Sequence, residues 1–97
     1  MKEEKYSNLY AFYKGPFGGE YDKNEFVSLE NKGLLKRGNL YKVEKVLMSS
    51  SHTEIDLFNV DECLNSVAFD FYESTKTGLV NLDIYNDARY NPYYREK

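Results

Sequence analysis

The sequence predicts a mainly β fold: a small bent sheet or SH3-like barrel of four to five short antiparallel strands, with an irregular Tyr-rich C-terminal segment. Three observations predict it. Within residues 33–60, two runs rich in Val, Ile and Leu flank a serine cluster, as in a β-hairpin. Residues 66–73 alternate apolar with polar side chains, as in a half-buried strand. A chain of 97 residues supports one modest core, and so short a sheet is expected to curl.

The N-terminal part is predicted to contribute two strands. Residues 9–13, LYAFY, and residues 25–30, EFVSLE, are short runs rich in aromatic and aliphatic side chains. The segment between them, residues 14–24, contains Gly and Pro and is interpreted as a flexible loop.

A β-bulge is predicted in the first strand of the hairpin. Tyr41 and Val43 share one face of this strand, whereas Val46 and Met48 have the opposite parity. One extra residue at Glu44–Lys45 would return all four side chains to the inner face. The predicted partners are Val43 with Leu57, Val46 with Ile55 and Met48 with Thr53, around a turn at Ser50 and Ser51.

The strand predicted at 66–73 places Val67, Phe69 and Phe71 on its inward face. Residues 74–97 have no sustained period and are expected to be irregular, with one helical turn. Within them, Asn91 and Pro92 favour a turn, because proline presets its own backbone angle.

One domain is expected over residues 1–97, because no repeat, low-complexity tract or long linker divides the chain. Its core is predicted within residues 9–73. The segment 74–97 is expected to dock on that core through its tyrosine rings, with part of the tyrosine surface left for a partner. The alternative is a free tail that serves as a recognition peptide.

Three stretches, LLKRGNLYKVEKV, SSSHTEIDL and LNSVAFDFYE, occur in this order in the centre of the chain. They resemble a group of small uncharacterised proteins from phages and mobile elements of low-GC Gram-positive bacteria. The matching positions are Leu35, Gly38, Tyr41, Val43, Ser51, His52, Thr53, Asn65, Ser66, Val67 and Phe69. Leu64 departs from the pattern, since an aromatic residue is common there. The resemblance covers about 40 central residues and implies a small β-rich fold and a phage-like origin, but no activity.

The net charge of −3 is unevenly distributed. Residues 1–50 carry nine Lys or Arg against seven Asp or Glu, whereas residues 51–97 carry four against nine. The basic stretch at 32–45 therefore has two interpretations. It neutralises an acidic neighbouring strand, or it contacts the phosphates of a nucleic acid. The acidic net charge disfavours nucleic acid as the partner.

The residues that carry most enzyme chemistry are scarce. His52 is the only histidine and Cys63 the only cysteine, which excludes an intramolecular disulfide and a zinc site built on several thiolates. The hairpin places His52 at a turn and Cys63 beyond the far end of the next strand, too distant for a nucleophile pair. Cys63 is expected to be a small buried or half-buried residue. No enzyme activity, cofactor or metal site is expected.

Charged residues follow Met1 directly, at positions 2–5. No apolar run approaches the ~20 residues that span a bilayer. Together with the single cysteine, these features predict a cytoplasmic protein with no membrane partner.

The function predicted from these observations is protein binding without catalysis. Tyrosine suits an interface because it offers a large contact area at low cost in side-chain entropy. If the origin is a phage, the natural mechanism is inhibition or modulation of a host or defence protein. The predicted protein-binding residues are Tyr85, Tyr90, Tyr93 and Tyr94. The alternative, a nucleic-acid-associated accessory protein, would use Lys36, Arg37, Tyr41, Lys42 and Lys45.

Overall fold

The computed structural model describes residues 8–49 and 52–94, which contain six strands and one α-helix. The elements, in chain order, are β1 Leu9–Tyr13, α1 Glu20–Asn31, β2 Leu40–Met48, β3 Thr53–Leu57, β4 Leu64–Asn65, β5 Phe69–Thr75 and β6 Gly78–Leu82. Short 3₁₀ turns lie at Ser66–Ala68 and Ile84–Asn86. The predicted helical turn in the C-terminal segment is therefore present.

The strands form one antiparallel sheet in the order β4-β3-β2-β1-β5-β6. The predicted mainly β fold with antiparallel strands is confirmed, with six strands instead of four to five. The sheet is open, because β4 and β6 are not paired with each other in the described residues. An SH3-like barrel is thus not formed. One face, here called the inner face, is covered by α1 and by part of the C-terminal segment, so its apolar residues are buried without closure.

The predicted bulge in β2 is confirmed. Val43 lies opposite Leu57, and the next pair is Lys45 with Asp56, so Glu44 is the extra residue. The pairs of Val46 with Ile55 and of Met48 with Thr53 are those expected. The predicted turn at Ser50 and Ser51 lies outside the described residues, but the N–H of Ser49 donates to the carbonyl of His52 at 2.9 Å.

The strand predicted at 25–30 is wrong, since these residues belong to helix α1, which also includes part of the predicted loop. Phe26 and Leu29 stand three residues apart and are both buried, whereas Val27 is exposed. This spacing fits one face of a helix and not the alternation of a strand. Packing of that face on the sheet overrides the strand preference of the individual residues.

A glycine ends helix α1. Gly33 has a φ of +79°, a left-handed conformation that costs a residue with a Cβ more than it costs glycine. Its N–H donates to the carbonyl of Glu30 at 3.0 Å, and the N–H of Leu34 donates to the carbonyl of Leu29 at 3.0 Å. These two bonds form a Schellman motif, which satisfies carbonyls that the last turn of the helix leaves open.

Three aromatic rings hold α1 on the inner face. The ring centroids of Tyr13 and Phe26 are 5.7 Å apart, those of Tyr13 and Phe69 are 5.5 Å apart, and those of Phe26 and Phe69 are 6.0 Å apart. All three side chains are buried. Tilted and edge-to-face contacts at these distances add to the burial of the rings themselves. The helix, β1 and β5 therefore meet in one aromatic cluster.

A buried hydroxyl connects this cluster to the surface. The Tyr13 hydroxyl donates to Oε2 of Glu30 at 2.8 Å, and Nε of Arg37 donates to the same oxygen at 2.9 Å. Burial, followed by the bond to the Glu30 carboxylate, raises the pKa of Tyr13. The hydrogen bond from Arg37 lowers the pKa of Glu30 despite the opposing effect of burial. Together these bonds join the end of α1 to β1.

The strand predicted at 66–73 is observed as Phe69–Thr75. Phe69 and Phe71 are buried, as predicted, but Val67 is exposed because it lies in the preceding 3₁₀ turn. The side chain of Asn65 accepts a hydrogen bond from the N–H of Val67 at 3.1 Å and so caps this turn. The expectation that residues 74–97 are irregular missed β6, which pairs with β5 across a tight turn.

No helix among residues 8–49 and 52–94 has the length and apolar character required to cross a membrane.

Candidate functional site

The chain returns from β6 to the core through a 3₁₀ turn. Asp83 begins this turn, since its Oδ1 accepts a hydrogen bond from the N–H of Tyr85 at 3.1 Å. Ile84 is fully buried, and Tyr90 is only 5% exposed and belongs to the same core. We call residues 83–94 the tail; it crosses the sheet near the end of the β2–β3 hairpin.

Arg89 joins the tail to β5. Its Nη1 donates to Oε2 of Glu73 at 2.8 Å, and its Nη2 donates to Oδ2 of Asp87 at 2.6 Å. These hydrogen bonds lower the pKa of both carboxyl groups, Glu73 and Asp87, despite the opposing effect of burial. The guanidinium also lies 5.3 Å from the centre of the Tyr90 ring. One side chain therefore supports the position of the buried tyrosine.

A turn shapes the last part of the tail. The N–H of Tyr94 donates to the carbonyl of Asn91 at 3.1 Å, which confirms the turn predicted at Asn91 and Pro92. The Asn91 side chain donates to the carbonyl of Tyr85 at 2.6 Å and accepts from the N–H of Tyr93 at 2.8 Å. Asn91 thus holds the two ends of the tail together, and Tyr93 projects from the turn with 57% of its surface exposed.

Two adjoining clefts of about 480 Å³ and about 520 Å³ lie between the hairpin end and the tail. They share a wall made by Met48, Ser49 and His52. We call them together the hairpin–tail groove. The first cleft is also lined by Val46, Glu54, Arg89, Tyr90 and Pro92. The second is also lined by Thr53, Ser66, Tyr85, Asn91 and Tyr93.

Three of the four predicted tyrosines line this groove. Tyr85 and Tyr93 line the second cleft, and Tyr90 lines the first. Tyr85 is 42% exposed, and its hydroxyl lies 2.6 Å from the hydroxyl of the buried Ser66, so part of its role is structural. Tyr90 is part of the core. Tyr94 is half-buried at the end of the turn. Among these four tyrosines, Tyr93 is therefore the most available to a partner.

Sequence reasoning missed the other wall of the groove. Met48 and His52 come from the hairpin end, more than 30 residues before the tail in the chain. Arg89, which lines the first cleft, was also missed. No local pattern links these positions, because the contact depends on how β2 and β3 are placed in the sheet. The only sequence feature that pointed to this wall was the Ser-His-Thr stretch around His52.

The residues predicted for nucleic-acid binding are not brought onto one surface. Tyr41 is half-buried against the core, and its hydroxyl accepts a hydrogen bond from the N–H of Lys36 at 2.7 Å. Arg37 is engaged with Glu30. These contacts place Tyr41 on the inner face of the sheet.

Lys42 and Lys45 are in different surroundings. Lys42 follows Tyr41 and lies on the outer face, where its Nζ is 5.1 Å from the centre of the Tyr10 ring. Lys45 is exposed opposite Asp56 at the bulge. Only part of the predicted basic surface therefore shares one face of the sheet.

Cys63 is exposed, so its expected burial is wrong. It precedes β4, which returns alongside β3 and brings Cys63 near Asp56. A hydrogen bond to Asp56, supported by burial, raises the pKa of the thiol to about 11. A raised pKa keeps the thiol protonated and weakly nucleophilic near neutral pH. His52 lies four residues from Asp56 along β3, ~13 Å at a strand's rise, which is beyond hydrogen-bond reach of Cys63.

Acidic side chains do converge on one side of α1. Burial raises the pKa of Glu25, and the nearby carboxylates of Glu62, Asp22 and Glu54 raise it further. Among residues 8–49 and 52–94, no group of three or more His, Cys, Asp or Glu side chains is arranged to hold a metal ion.

Acid is expected to weaken the attachment of the tail through Arg89. The pKa values of Glu73 and Asp87 in the folded state lie below their unfolded values of about 4. The stabilisation is therefore fully present above that pH and is lost as the pH falls through the lowered folded values. We expect Arg89→Gln to be less stable than the wild type near neutral pH and to approach it near pH 2.

Urea denaturation across this pH range measures the effect, and Lys23→Gln on the surface of α1 serves as the charge-matched control. Its stability should follow the wild-type pH profile. An equal loss in Arg89→Gln at every pH would show that the carboxylates do not carry the effect.

These features define the class: a small, mainly β protein with one open antiparallel sheet and one helix on its inner face. A family model described as Bacteriophage T4 protein Y07B matches residues 8–96. The chain belongs to this phage protein family, which confirms the phage part of the resemblance seen in the sequence. The low-GC Gram-positive host stays a prediction. No curated protein matches the chain, and no solved structure matches it.

Proposed function

We propose that this phage protein acts without catalysis, by binding a segment of a partner protein in the hairpin–tail groove. The observation that carries the proposal is the exposed ring of Tyr93 at the edge of a groove whose opposite wall includes Met48. An exposed aromatic ring next to a flexible thioether offers contact area that can adapt to a partner. The mechanism proposed is inhibition or modulation of a host or defence protein.

The size and lining of the groove favour a short peptide segment. Each cleft has a volume of about 500 Å³, within the range of pockets that take a small ligand or a few side chains. The wall shared by the two clefts allows one extended segment to contact both. Its apolar side chains would contact Met48, Tyr93 and Pro92.

Polar groups around the groove suit the rim of such an interface. Glu54 and Arg89 line the first cleft and have opposite charges, and their side chains are 42% and 53% exposed. A polar, solvent-exposed rim around an apolar centre is the common arrangement of protein interfaces. The partner segment is therefore expected to combine an apolar residue with flanking charged or amide groups.

Tyr93→Ala is expected to abolish capture of the partner, because exposed tyrosines at the centre of a contact often supply much of the binding energy. The full-length protein is immobilised and incubated with a lysate of its bacterial host, and the bound proteins are quantified by mass spectrometry. Tyr21→Ala is the matched control, since Tyr21 is 78% exposed on α1 and does not line the groove. We expect a protein that the wild type and Tyr21→Ala retain and Tyr93→Ala loses by at least about tenfold.

A specific observation supports the alternative function. The outer face of the sheet carries Tyr10, Phe12 and Tyr72, with Lys42 beside the ring of Tyr10. Half-buried aromatic rings on a sheet can stack with the bases of a single strand. Binding to a single-stranded oligonucleotide at low salt that Lys42→Ala weakens and Tyr93→Ala preserves would favour this alternative.

The lysate experiment can also contradict the groove. If the wild type, Tyr21→Ala and Tyr93→Ala all retain every protein equally, the groove is excluded as the binding site.

A further inference from the structure

Strand β6 is an open edge of the sheet. It has five residues and pairs only with β5 in the described part of the chain. The opposite edge, β4, has only two residues and continues directly into a 3₁₀ turn. Short edge strands resist pairing with other chains, whereas a longer edge presents a row of unpaired N–H and C=O groups. The two edges of this sheet therefore differ in their capacity to accept another strand.

The direction of the free backbone groups follows from the pairing of β5. The N–H of Ser74 donates to the carbonyl of Asn8 at 2.9 Å, so it points away from β6. Ser74 lies opposite Leu79, which makes this a non-hydrogen-bonded pair of the β5–β6 ladder. Because the pattern alternates, the backbone N–H and C=O groups of Leu79 and Asn81 point outward from the sheet.

The side chains of β6 do not protect this edge. Leu79 and Val80 lie on opposite faces and are 48% and 49% exposed. The strand, GLVNL, contains no proline and no charged residue, although these are the usual means by which natural proteins block pairing at an edge. Apolar side chains on both faces are typical of a strand that has a neighbour on each side in a larger sheet.

We propose that β6 pairs antiparallel with β6 of a second copy of this chain, with a two-fold axis at Val80. In this register Leu79 lies opposite Asn81 of the second copy, and Val80 lies opposite its own equivalent. The outward N–H and C=O groups of Leu79 and Asn81 then meet in hydrogen-bonded pairs. The two sheets join into one continuous sheet, and the interface is self-complementary, as a two-fold contact requires.

The charges next to β6 favour a second copy as the occupant. Lys76 precedes the strand and Asp83 follows it, both exposed. In this register Asp83 of each chain lies opposite Thr77 of the other, so Lys76 lies one position from the oppositely charged Asp83, whereas parallel pairing would place like charges together. The same sequence thus supplies both the matching backbone groups and the matching charges.

A disulfide formed across the axis tests the register. Val80→Cys is prepared in a Cys63→Ser background, and Leu79→Cys in the same background is the control of equal exposure. Opposed Cα atoms in a non-hydrogen-bonded pair are ~4.5 Å apart, within the range of a disulfide. The Leu79 positions of the two copies stand diagonally at ~7–8 Å, which is too far. We expect mild oxidation to cross-link most of Val80→Cys and little of Leu79→Cys; equal cross-linking of both would overturn the proposed register.

Sedimentation equilibrium tests the dimer without a covalent link. The wild type is expected to show a concentration-dependent dimer. Val80→Lys should raise its dissociation constant at least about fivefold, because like charges would face each other at the axis. An equimolar mixture of Val80→Lys and Val80→Glu should recover the dimer. A wild type that stays monomeric up to millimolar concentration would overturn the proposal, and so would a mixture that stays monomeric; neither result depends on the groove.

Discussion

Phe69→Ala is expected to lower the free energy of unfolding by about 3–5 kcal/mol. Phe69 is 4% exposed and contacts the rings of both Tyr13 and Phe26. Its truncation therefore leaves a cavity where α1, β1 and β5 meet, and the surrounding backbone can close it only in part. For a domain whose whole stability is about 5–15 kcal/mol, this loss threatens folding itself.

Urea denaturation of the purified variants measures this loss. Phe58→Ala is the matched control, because Phe58 is 62% exposed and its truncation should change stability by no more than about 0.5 kcal/mol. If Phe69→Ala costs less than about 1 kcal/mol, the aromatic cluster does not hold the helix on the sheet. Should Phe69→Ala fail to fold, Phe69→Leu gives a smaller loss that remains measurable.

Deletion of residues 86–97 is expected to lower the melting temperature by roughly 10 °C or more. The deletion removes the buried ring of Tyr90, worth about 1.5–3 kcal/mol, together with the contact of Arg89 with Glu73. It also uncovers core residues that Tyr90 shields from water. Thermal denaturation followed by circular dichroism measures the shift.

Two point variants separate the contribution of the buried tyrosine of the tail to the melting temperature from that of the exposed one. Tyr90→Ala should reproduce a large part of the loss, whereas Tyr93→Ala, with 57% of the residue exposed, should leave the melting temperature nearly unchanged. An unchanged midpoint in the truncated protein would mean that the tail does not contribute to the fold. This result would also contradict the proposed binding groove, since the tail forms one of its walls.

The bulge in β2 was predictable because its cause is local. Val43 and Val46 must both face the core, and their parity in the sequence shows that one residue has to be added between them. The register of the whole hairpin follows from this single requirement. The turn at Asn91 was predictable for a similar reason, since proline restricts its own backbone.

Helix α1 and strand β6 were not predictable in the same way. The helix has few apolar residues, and Phe26 with Val27 suits a strand by local preference; the aromatic contacts that select the helix come from β1 and β5. In β6, Leu79 and Val80 are adjacent and both exposed, so no alternation of polar and apolar residues marks the strand. Its strand geometry comes from pairing with β5.

The candidate site was half predictable. A cluster of tyrosines near a turn-forming Asn-Pro pair indicated that the tail has a contact role. The opposite wall depends on Met48 and His52, whose position beside the tail results from the order of strands in the sheet. The spacing of residues along the chain does not predict such a non-local contact.

The position of β1 has a consequence for the order in which the chain assembles. β1 lies between β2 and β5, and Leu9 is opposite Glu73, so most of the sequence separates two neighbouring strands. The β2–β3 and β5–β6 hairpins are local and can form in microseconds, but β1 joins them only after a long loop has closed. During synthesis β1 is made long before β5, the strand with which it pairs on one side. The β1–β5 pairing, which joins the two hairpins into one sheet, is therefore expected to form after both of them.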